Sequence, residues 1–210
     1  MMSSLMNRGQ RSAIGTYGFF GGGFLIDRGV EAPGKLSKLD VRLEIPQQWR
    51  FVLLVPAVGP AQHGQLENVA FEELSESHNS GRDRMVELCN EHIAPAVAGN
   101  HYQQLGEPLF ELNRLSGQYF SKYQYGCYHS ELCAQVVDHI RSCGVTAVGQ
   151  SSWGPCVFAV TADQSAAEGL IAQLRTDFPA IYSPSNIDIT VAEPDNCGFK
   201  MHQPKSNTTT

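Results

Sequence analysis

The sequence predicts an α+β fold in which helices cover an antiparallel sheet. Three observations support this prediction. Short runs of alternating or β-branched apolar residues, typical of strands, occur in the first quarter and the last third of the chain. Between them, apolar residues recur at helical spacing. From Ser130 onwards the predicted order is helix, strand, strand, helix, strand, which is ferredoxin-like and suits a layer of helices on an antiparallel sheet.

The first quarter of the chain predicts one helix and three strands. A short helix capped by Ser12 leads through three consecutive glycines into a strand at Phe24–Asp27. Residues 39–45 alternate apolar and polar side chains, which predicts a half-buried strand, and residues 50–55 predict a more buried one. Because consecutive strands with short connections usually pair, we expect these three strands to be neighbours.

A linker rich in Pro, Gly and Ala begins at Pro56 and marks the predicted domain boundary. Helices are then predicted around residues 66–74, 82–93 and 106–124 from the spacing of their apolar residues. Ser130 is predicted to begin a helix that stops at Gly144, and Asp163 or Ser165 to begin another that ends near residue 178. Residues 186–192 predict a last strand.

Two predicted strands, at residues 145–148 and 156–161, bracket the stretch Gly149-Gln150-Ser151-Ser152-Trp153-Gly154-Pro155. Glycines permit positive φ and close approach of a ligand, and a concave run of backbone N–H donors binds phosphate or carboxylate groups. A hairpin whose glycines and proline only form the turn is the alternative. Since a tight hairpin needs only about two to five loop residues, the seven residues here favour a binding loop.

Composition excludes several classes of partner. The formal net charge is −6 and no basic run occurs, which argues against a nucleic-acid surface. The longest apolar windows, residues 19–26 and 51–58, are too short to span a bilayer, and the first residues lack the apolar segment of a signal peptide. We therefore predict a cytoplasmic protein that binds neither nucleic acid nor membrane.

The six cysteines include no Cys-x-x-Cys pair, which is typical of reduced cytoplasmic thiols. His129 and Cys133 are four residues apart, as are His139 and Cys143, so either pair could lie on one helical face and hold a metal ion. Zinc requires a third and a fourth ligand at set spacings, and none stands out. We therefore predict no metal centre at these pairs.

Four stretches together resemble a known family: Arg-Ser-Ala-Ile-Gly from residue 11, Gly-Gly-Gly-Phe-Leu-Ile-Asp from 21, Gly-x-x-Glu-x-x-Ala-Phe from 64, and Gly-Gln-Ser-Ser-Trp-Gly-Pro from 149. They resemble the beta-ribofuranosylaminobenzene 5'-phosphate synthases of the GHMP kinase superfamily, named for galactokinase, homoserine kinase, mevalonate kinase and phosphomevalonate kinase. The last stretch is the specific one, and the resemblance covers about residues 8–192. It implies that residues 1–56 are a remnant of the GHMP-type N-terminal domain, residues 62–194 the C-terminal domain, and residues 195–210 a flexible tail.

The resemblance implies a pentosyl transfer in tetrahydromethanopterin biosynthesis. Members of this family join phosphoribosyl pyrophosphate to 4-aminobenzoate or 4-hydroxybenzoate and release carbon dioxide and pyrophosphate. Two departures keep other functions open. No phosphate loop rich in glycine and serine precedes Arg8, so the chain resembles the C-terminal portion of a member, either truncated or needing a partner. Residues 12–16 also lack the aspartate that the kinases carry on this helix. The alternatives are an ATP-dependent small-molecule kinase and a non-catalytic module that binds a phosphate ligand.

The expected ligand is a small-molecule phosphate, and no catalytic residue is assigned. Arginine forks suit bidentate phosphate contacts, and a helix N-terminus suits anions. Asp27 is a candidate for anchoring a ribose hydroxyl or Mg²⁺, the only cofactor left open, since Mg²⁺ takes few carboxylates and relies on substrate phosphates. Trp153 either stacks on the aromatic acid or packs within the protein. The partner is either a second copy of the chain or a separate N-terminal half. The residues expected to bind the phosphate substrate are Arg8, Arg11, Ser12, Gly149, Gln150, Ser151, Ser152, Trp153 and Gly154.

Overall fold

A computed structural model describes residues 12–29, 35–57 and 81–200 of the chain. The described residues fall into two compact units. The first contains those up to Ile45 together with those from Asp195 onwards, and the second spans Pro46–Pro194. The predicted helix at residues 66–74 and the stretch that begins at residue 64 lie outside the described residues.

The described part of the first unit contains one helix and a two-stranded antiparallel sheet. Helix α1 is Ile14–Gly21, strand β1 is Phe24–Asp27 and strand β2 is Leu39–Leu43. Phe24 lies opposite Leu43 in the ladder. The helix and both strands were predicted, but the N-cap of the helix is Ala13 rather than Ser12, without a side-chain cap, and β2 ends two residues earlier than expected.

Residues 195–200 return to this first unit. The backbone N–H of Gly23 donates to the carbonyl oxygen of Asp195 at 2.7 Å. The side-chain amide of Asn196 pairs with the backbone of Ile45 through two hydrogen bonds of 2.8 Å. The predicted flexible tail therefore differs from the structure at residues 195–199, where hydrogen bonds of Asp195, Asn196 and Phe199 join the first unit, while residues 201–210 lie outside the described part.

In the second unit, the structure describes four helical segments between residues 82 and 119. Helix α2 (Arg82–Glu87) continues through a π-helical segment (Leu88–Ile93) into α3 (Ala94–Ala98). Helix α4 (Tyr102–Tyr119) follows after a short turn. It begins four residues before the predicted start and ends five residues before the predicted end.

The rest of the second unit has the predicted order. It consists of α5 (Glu131–Ser142), β4 (Val148–Gln150), β5 (Val157–Thr161), α6 (Gln164–Asp177) and β6 (Ile187–Ala192). The ferredoxin-like order of helix, strand, strand, helix, strand is thereby confirmed.

Strand β3 (Arg50–Pro56) joins this second unit, and the expectation that it neighbours β1 and β2 is wrong. The four-stranded sheet has the order β4-β5-β3-β6, and all its strand pairs are antiparallel. Leu53 lies opposite Phe158 on β5 and Thr190 on β6. The continuous apolar run of β3 suits an inner strand. The boundary between the units consequently falls between Ile45 and Pro46, ten residues before the predicted one at Pro56.

One hydrophobic core holds the second unit together. Helix α5 contacts β4 and β5, while α6 contacts β3 and β5. Both helices have the side-chain N-caps that the sequence suggested: the Ser130 hydroxyl accepts from the Cys133 N–H at 3.2 Å, and the Asp163 carboxylate accepts from the Ala166 N–H at 2.8 Å. The largest buried side chains of the core cluster are Val52, Leu54, Val136, Val137, Ile140, Val148, Leu174, Tyr182 and Ile187.

Across the described segments, none of the helices combines the length and the hydrophobicity that crossing a bilayer demands.

Candidate functional site

The turn between β4 and β5 is shorter than the sequence suggested. Gly149 and Gln150 belong to β4, so the ladder continues two residues beyond the predicted end of the strand. The N–H of Ser151 then donates to the carbonyl oxygen of Cys156 at 2.8 Å, and the N–H of Gly154 donates to that of Ser151 at 2.8 Å. The expectation of a seven-residue loop is therefore wrong. The connection is a tight hairpin closed by the Ser151–Cys156 pair.

Asn113 on α4 clamps the start of this hairpin. Its side-chain amide donates to the carbonyl oxygen of Gln150 at 2.8 Å, and its Oδ1 accepts from the Gln150 N–H at 2.9 Å. A Cβ atom on Gly149 would lie only 2.4 Å from Cγ of Asn113. Gly149 is thus required for the close approach of helix α4 to the strand, a different reason from the ligand approach that the sequence suggested.

The side chain of Gln150 is buried and holds the turn through two hydrogen bonds. It is only 4% exposed. Its Oε1 accepts from the N–H of His129 at 2.6 Å, and its Nε2 donates to the carbonyl oxygen of Ser152 at 3.0 Å. Both polar atoms are therefore bonded inside the protein, and Gln150 fixes the shape of the turn.

His129 adds a second clamp to the turn. Its Nδ1 lies 3.0 Å from the carbonyl oxygen of Trp153. Because a carbonyl oxygen can only accept, Nδ1 carries the proton, and in the neutral ring the lone pair is on Nε2. A Cβ atom on Gly154, whose φ is +71°, would lie 2.7 Å from Cβ of His129. The turn is thus tightly packed against residue 129.

These hydrogen bonds reduce the number of backbone N–H donors that the turn has available for an anion. The N–H groups of Gln150, Ser151 and Gly154 all have acceptors within the protein. The expectation of a concave run of free N–H donors is therefore wrong at these three positions. The side chains of Ser151 and Ser152 are exposed, and Ser152 has a φ of +49°. The hydroxyl groups of these two serines are therefore candidate donors to an anion.

A cleft of about 220 Å³ adjoins the turn. Trp153 and Phe120, which follows α4, form an aromatic pair on its wall, with ring centroids 4.3 Å apart and planes tilted by 49°. Cys127 reaches the cleft because Gly117 lets the chain pass close: a Cβ there would lie 2.2 Å from the Cys127 carbonyl oxygen. The residues that line the cleft are Asn113, Ser116, Gly117, Phe120, Cys127, Gln150, Ser152 and Trp153.

In the first unit, Asp27 forms a dense hydrogen-bond cluster. Its Oδ2 accepts from the hydroxyls of Ser12 and Ser37, at 2.7 and 2.8 Å, and from the N–H of Ala13 at 2.9 Å. Its Oδ1 accepts from the N–H of Gly29 at 3.0 Å. Partial burial acts to raise the pKa of the Asp27 carboxyl, but these hydrogen bonds outweigh it and hold the pKa below its ordinary value.

The Asp27 cluster organises the start of α1. With three donors on one oxygen and one on the other, the carboxylate has little capacity left for a magnesium ion, so this group does not fit the metal well. The hydroxyl of Ser12 also accepts from the Ile14 N–H at 3.2 Å, in the first turn of α1. Arg8 and Arg11 lie outside the described residues.

The two His–Cys pairs are engaged in packing and hydrogen bonds. His139 Nδ1 lies 3.2 Å from the hydroxyl of Tyr182, and the buried Cys133 thiol lies 3.4 Å from the carbonyl oxygen of Pro155. Within residues 12–29, 35–57 and 81–200, no three His, Cys, Asp or Glu side chains come together as metal ligands.

Several residues of the cleft were not predicted from the sequence. Asn113 and Ser116 share the helical stripe of Leu109 and Leu112, at spacings of three, four and seven residues. Two polar residues on a stripe that otherwise faces inward are the signal that could have identified them. Phe120 and Cys127 carry no such signal, because their place in the cleft depends on where the chain leaves α4.

Comparison with known proteins defines the family. The family profile described as "GHMP kinases C terminal" matches residues 71–180, just over half of the chain. The chain therefore belongs to the GHMP kinase family. A protein of Methanothermobacter thermautotrophicus, named beta-ribofuranosylphenol 5'-phosphate synthase, is 24% identical over 172 residues, which cover 76% of this chain and 51% of that protein.

Solved structures share the fold. A mevalonate diphosphate decarboxylase from Staphylococcus aureus superposes with a TM-score of 0.58 at 12% identity, over 85% of this chain and 54% of that one. The L. major mevalonate kinase in complex with R-mevalonate gives a TM-score of 0.56 at 15% identity, over 82% and 49%. The GHMP-like α+β fold is thus confirmed, and the chain spans about half the length of the relatives it matches.

Proposed function

We propose that the chain serves a pentosyl transfer, in which phosphoribosyl pyrophosphate is joined to 4-hydroxybenzoate or 4-aminobenzoate. The observation that carries this proposal is the clamped turn, which presents two exposed serine hydroxyls beside a cleft with aromatic walls. An anionic sugar ester and an aromatic acid are the two kinds of ligand that such neighbouring surfaces suit. The name of the Methanothermobacter relative, beta-ribofuranosylphenol 5'-phosphate synthase, supports the same combination of a sugar phosphate and an aromatic ring.

The proposed reaction balances without an added oxidant or proton. Pyrophosphate leaves C1 of the ribose with the electrons of the C–O bond, which gives a centre with oxocarbenium character. The ring carbon that bears the carboxylate attacks C1 and forms the new C–C bond. The electrons of the ring–carboxylate bond then restore the aromatic ring as carbon dioxide departs. The carboxylate loses its negative charge, and the pyrophosphate gains one.

The binding roles follow from the chemistry of the groups. We assign the hydroxyls of Ser151 and Ser152 to donate hydrogen bonds to phosphate oxygens, since hydrogen bonds to charged acceptors are the stronger ones. Arg8 and Arg11 are proposed to supply bidentate guanidinium contacts. No magnesium ion is assigned to the Asp27 carboxylate, which already accepts four hydrogen bonds.

The test measures release of labelled carbon dioxide from carboxyl-labelled 4-hydroxybenzoate, with and without phosphoribosyl pyrophosphate. The expected result is release that requires the sugar pyrophosphate and equals the pyrophosphate produced. Consumption of ATP without such release would favour the alternative of a small-molecule kinase and overturn the proposal. A chain that releases neither product would also contradict it.

A further inference from the structure

We propose that the cleft between α4 and the β4–β5 turn binds the aromatic ring of the acceptor, with Trp153 and Phe120 as the residues that position it. This inference rests on the proposed function for the identity of the acceptor. It goes further by assigning the ring to one cleft in the second unit, which meets the phosphate-binding hydroxyls of the turn at Ser152.

The size of the cleft suits a single ring. Its volume is about 220 Å³. A cavity of about 150 Å³ lined by apolar side chains is known to accept benzene. The cleft therefore has room for a benzene ring with two small substituents, whereas drug-sized ligands, and nucleotides with them, occupy pockets of roughly 300 to 1,000 Å³.

The chemistry of the lining favours a ring over a phosphate group. In the part of the chain that the structure describes, the eight residues that line the cleft include no Lys, Arg, His, Asp or Glu. The amides of Asn113 and Gln150 are already bonded to the protein backbone. An aromatic pair adds a geometric preference for a third ring, because offset-stacked and edge-to-face contacts are attractive.

Two serines of the cleft define how the acceptor ring would be oriented. Ser116 lines the cleft on α4, and its hydroxyl can donate or accept, which matches either a hydroxyl or an amino group opposite the carboxylate. Ser152 both lines the cleft and is exposed on the turn. We place the carboxylate-bearing carbon at the Ser152 end, where the new bond to the sugar would form.

The clamp on the turn prepares this surface before a ligand binds. The Trp153 carbonyl oxygen is bonded to His129, and the Ser152 carbonyl oxygen is bonded to Gln150. The backbone that carries the indole ring is therefore held on both sides. A surface that is already ordered loses less conformational entropy on binding.

The first experiment uses the intrinsic fluorescence of Trp153. The chain has two tryptophans, and Trp49 is 2% exposed, so Trp49→Phe leaves Trp153 as the single reporter. Titration with 4-hydroxybenzoate alone, without sugar pyrophosphate, is expected to change its emission saturably. Cyclohexanecarboxylate, which lacks the aromatic ring, is expected to bind about tenfold more weakly because stacking is lost.

Matched variants test whether 4-hydroxybenzoate binds at this cleft. Phe120→Ala is expected to weaken 4-hydroxybenzoate binding by about tenfold, because truncation removes one wall. Phe20→Ala, at a phenylalanine that is 59% exposed in the first unit, is expected to leave the affinity unchanged. Equal affinity of the Phe120 variant and the unsubstituted chain would overturn the inference.

A second readout does not depend on variants. Cys127 is a half-buried residue of the cleft lining, so 4-hydroxybenzoate is expected to slow its alkylation by N-ethylmaleimide, with the exposed Cys197 as the internal control in mass spectrometry. Protection of Cys127 without transfer would uphold this cleft and refute the proposed reaction. Transfer without protection of Cys127 and without a Trp153 response would uphold the reaction and refute the cleft.

Discussion

The packing of Gly149 against Asn113 allows a sharp test of how the turn is held. We predict that Gly149→Ala destabilises the protein, because the new Cβ would lie 2.4 Å from Cγ of Asn113 and under 3 Å from both its Oδ1 and Nδ2 atoms. The Asn113 side chain must then move. Its two hydrogen bonds to the backbone of Gln150 are lost.

The expected magnitude follows from those two bonds. Each hydrogen bond contributes about 0.5–1.5 kcal/mol, so losing both costs about 1–3 kcal/mol, and more where a buried group stays unpaired. Replacing glycine by alanine restores about 0.4–1 kcal/mol through the entropy of the unfolded chain. We therefore expect the free energy of unfolding to fall by about 1–2 kcal/mol.

Urea-induced unfolding followed by circular dichroism measures this change. Gly169→Ala is the matched control, because Gly169 lies in α6 and a methyl group added there would have nothing within 4 Å, so this variant should stabilise the protein by about 0.5–1 kcal/mol. In an Asn113→Ala background, Gly149→Ala should be nearly neutral, since the clashing group is gone. If Gly149→Ala alone is neutral or stabilising, the clamp between α4 and the turn is not as described.

Two further predictions concern the pH dependence of stability. Hydrogen bonds hold the pKa of Asp27 below its ordinary value, so the stability that the charged carboxylate contributes is present at neutral pH and is lost as the pH falls through the folded-state pKa. In thermal melts, the stability difference between the unsubstituted chain and Asp27→Asn should therefore shrink below about pH 4. Burial lowers the pKa of His139, whose ring stacks on that of Phe178 with centroids 3.6 Å apart. Because the unfolded chain then binds a proton more readily than the folded one, the stability of the protein should fall as the pH drops from about 7 to 5. The variant His139→Gln should show a flatter dependence of stability on pH. An unchanged slope in the His139 variant would show that another group titrates.

Much of the fold could be predicted from local patterns. The caps at Ser130 and Asp163 and the stripe of α5 specify their elements through neighbouring residues alone, so periodicity and N-cap chemistry are sufficient. The partner of β3 could not be predicted in this way. Its run of apolar residues suits any buried sheet, and its neighbours, β5 and β6, lie more than 100 residues away in the chain.

The candidate site was predicted in part. The turn was located by its glycines and serines, but its length was overestimated, because Gly149 and Gln150 pair with β5, and Gln150 is also bonded to Asn113 from a different element. Likewise, the neighbours of Asp27 include Ser37, ten residues on, and nothing in a linear pattern predicts that its carboxylate would accept four hydrogen bonds. Spatial contacts of this kind are set by packing, which single-sequence patterns do not contain.

The central claim is that the exposed hydroxyls of Ser151 and Ser152 hold the phosphate groups of the substrate. Titration calorimetry of phosphoribosyl pyrophosphate into the chain tests it directly, with the double variant Ser151→Ala and Ser152→Ala as the comparison. We predict that the variant binds at least about tenfold more weakly, while its melting temperature stays close to that of the unsubstituted chain, because exposed hydroxyls contribute little to stability. Equal affinities for the two proteins would contradict the account.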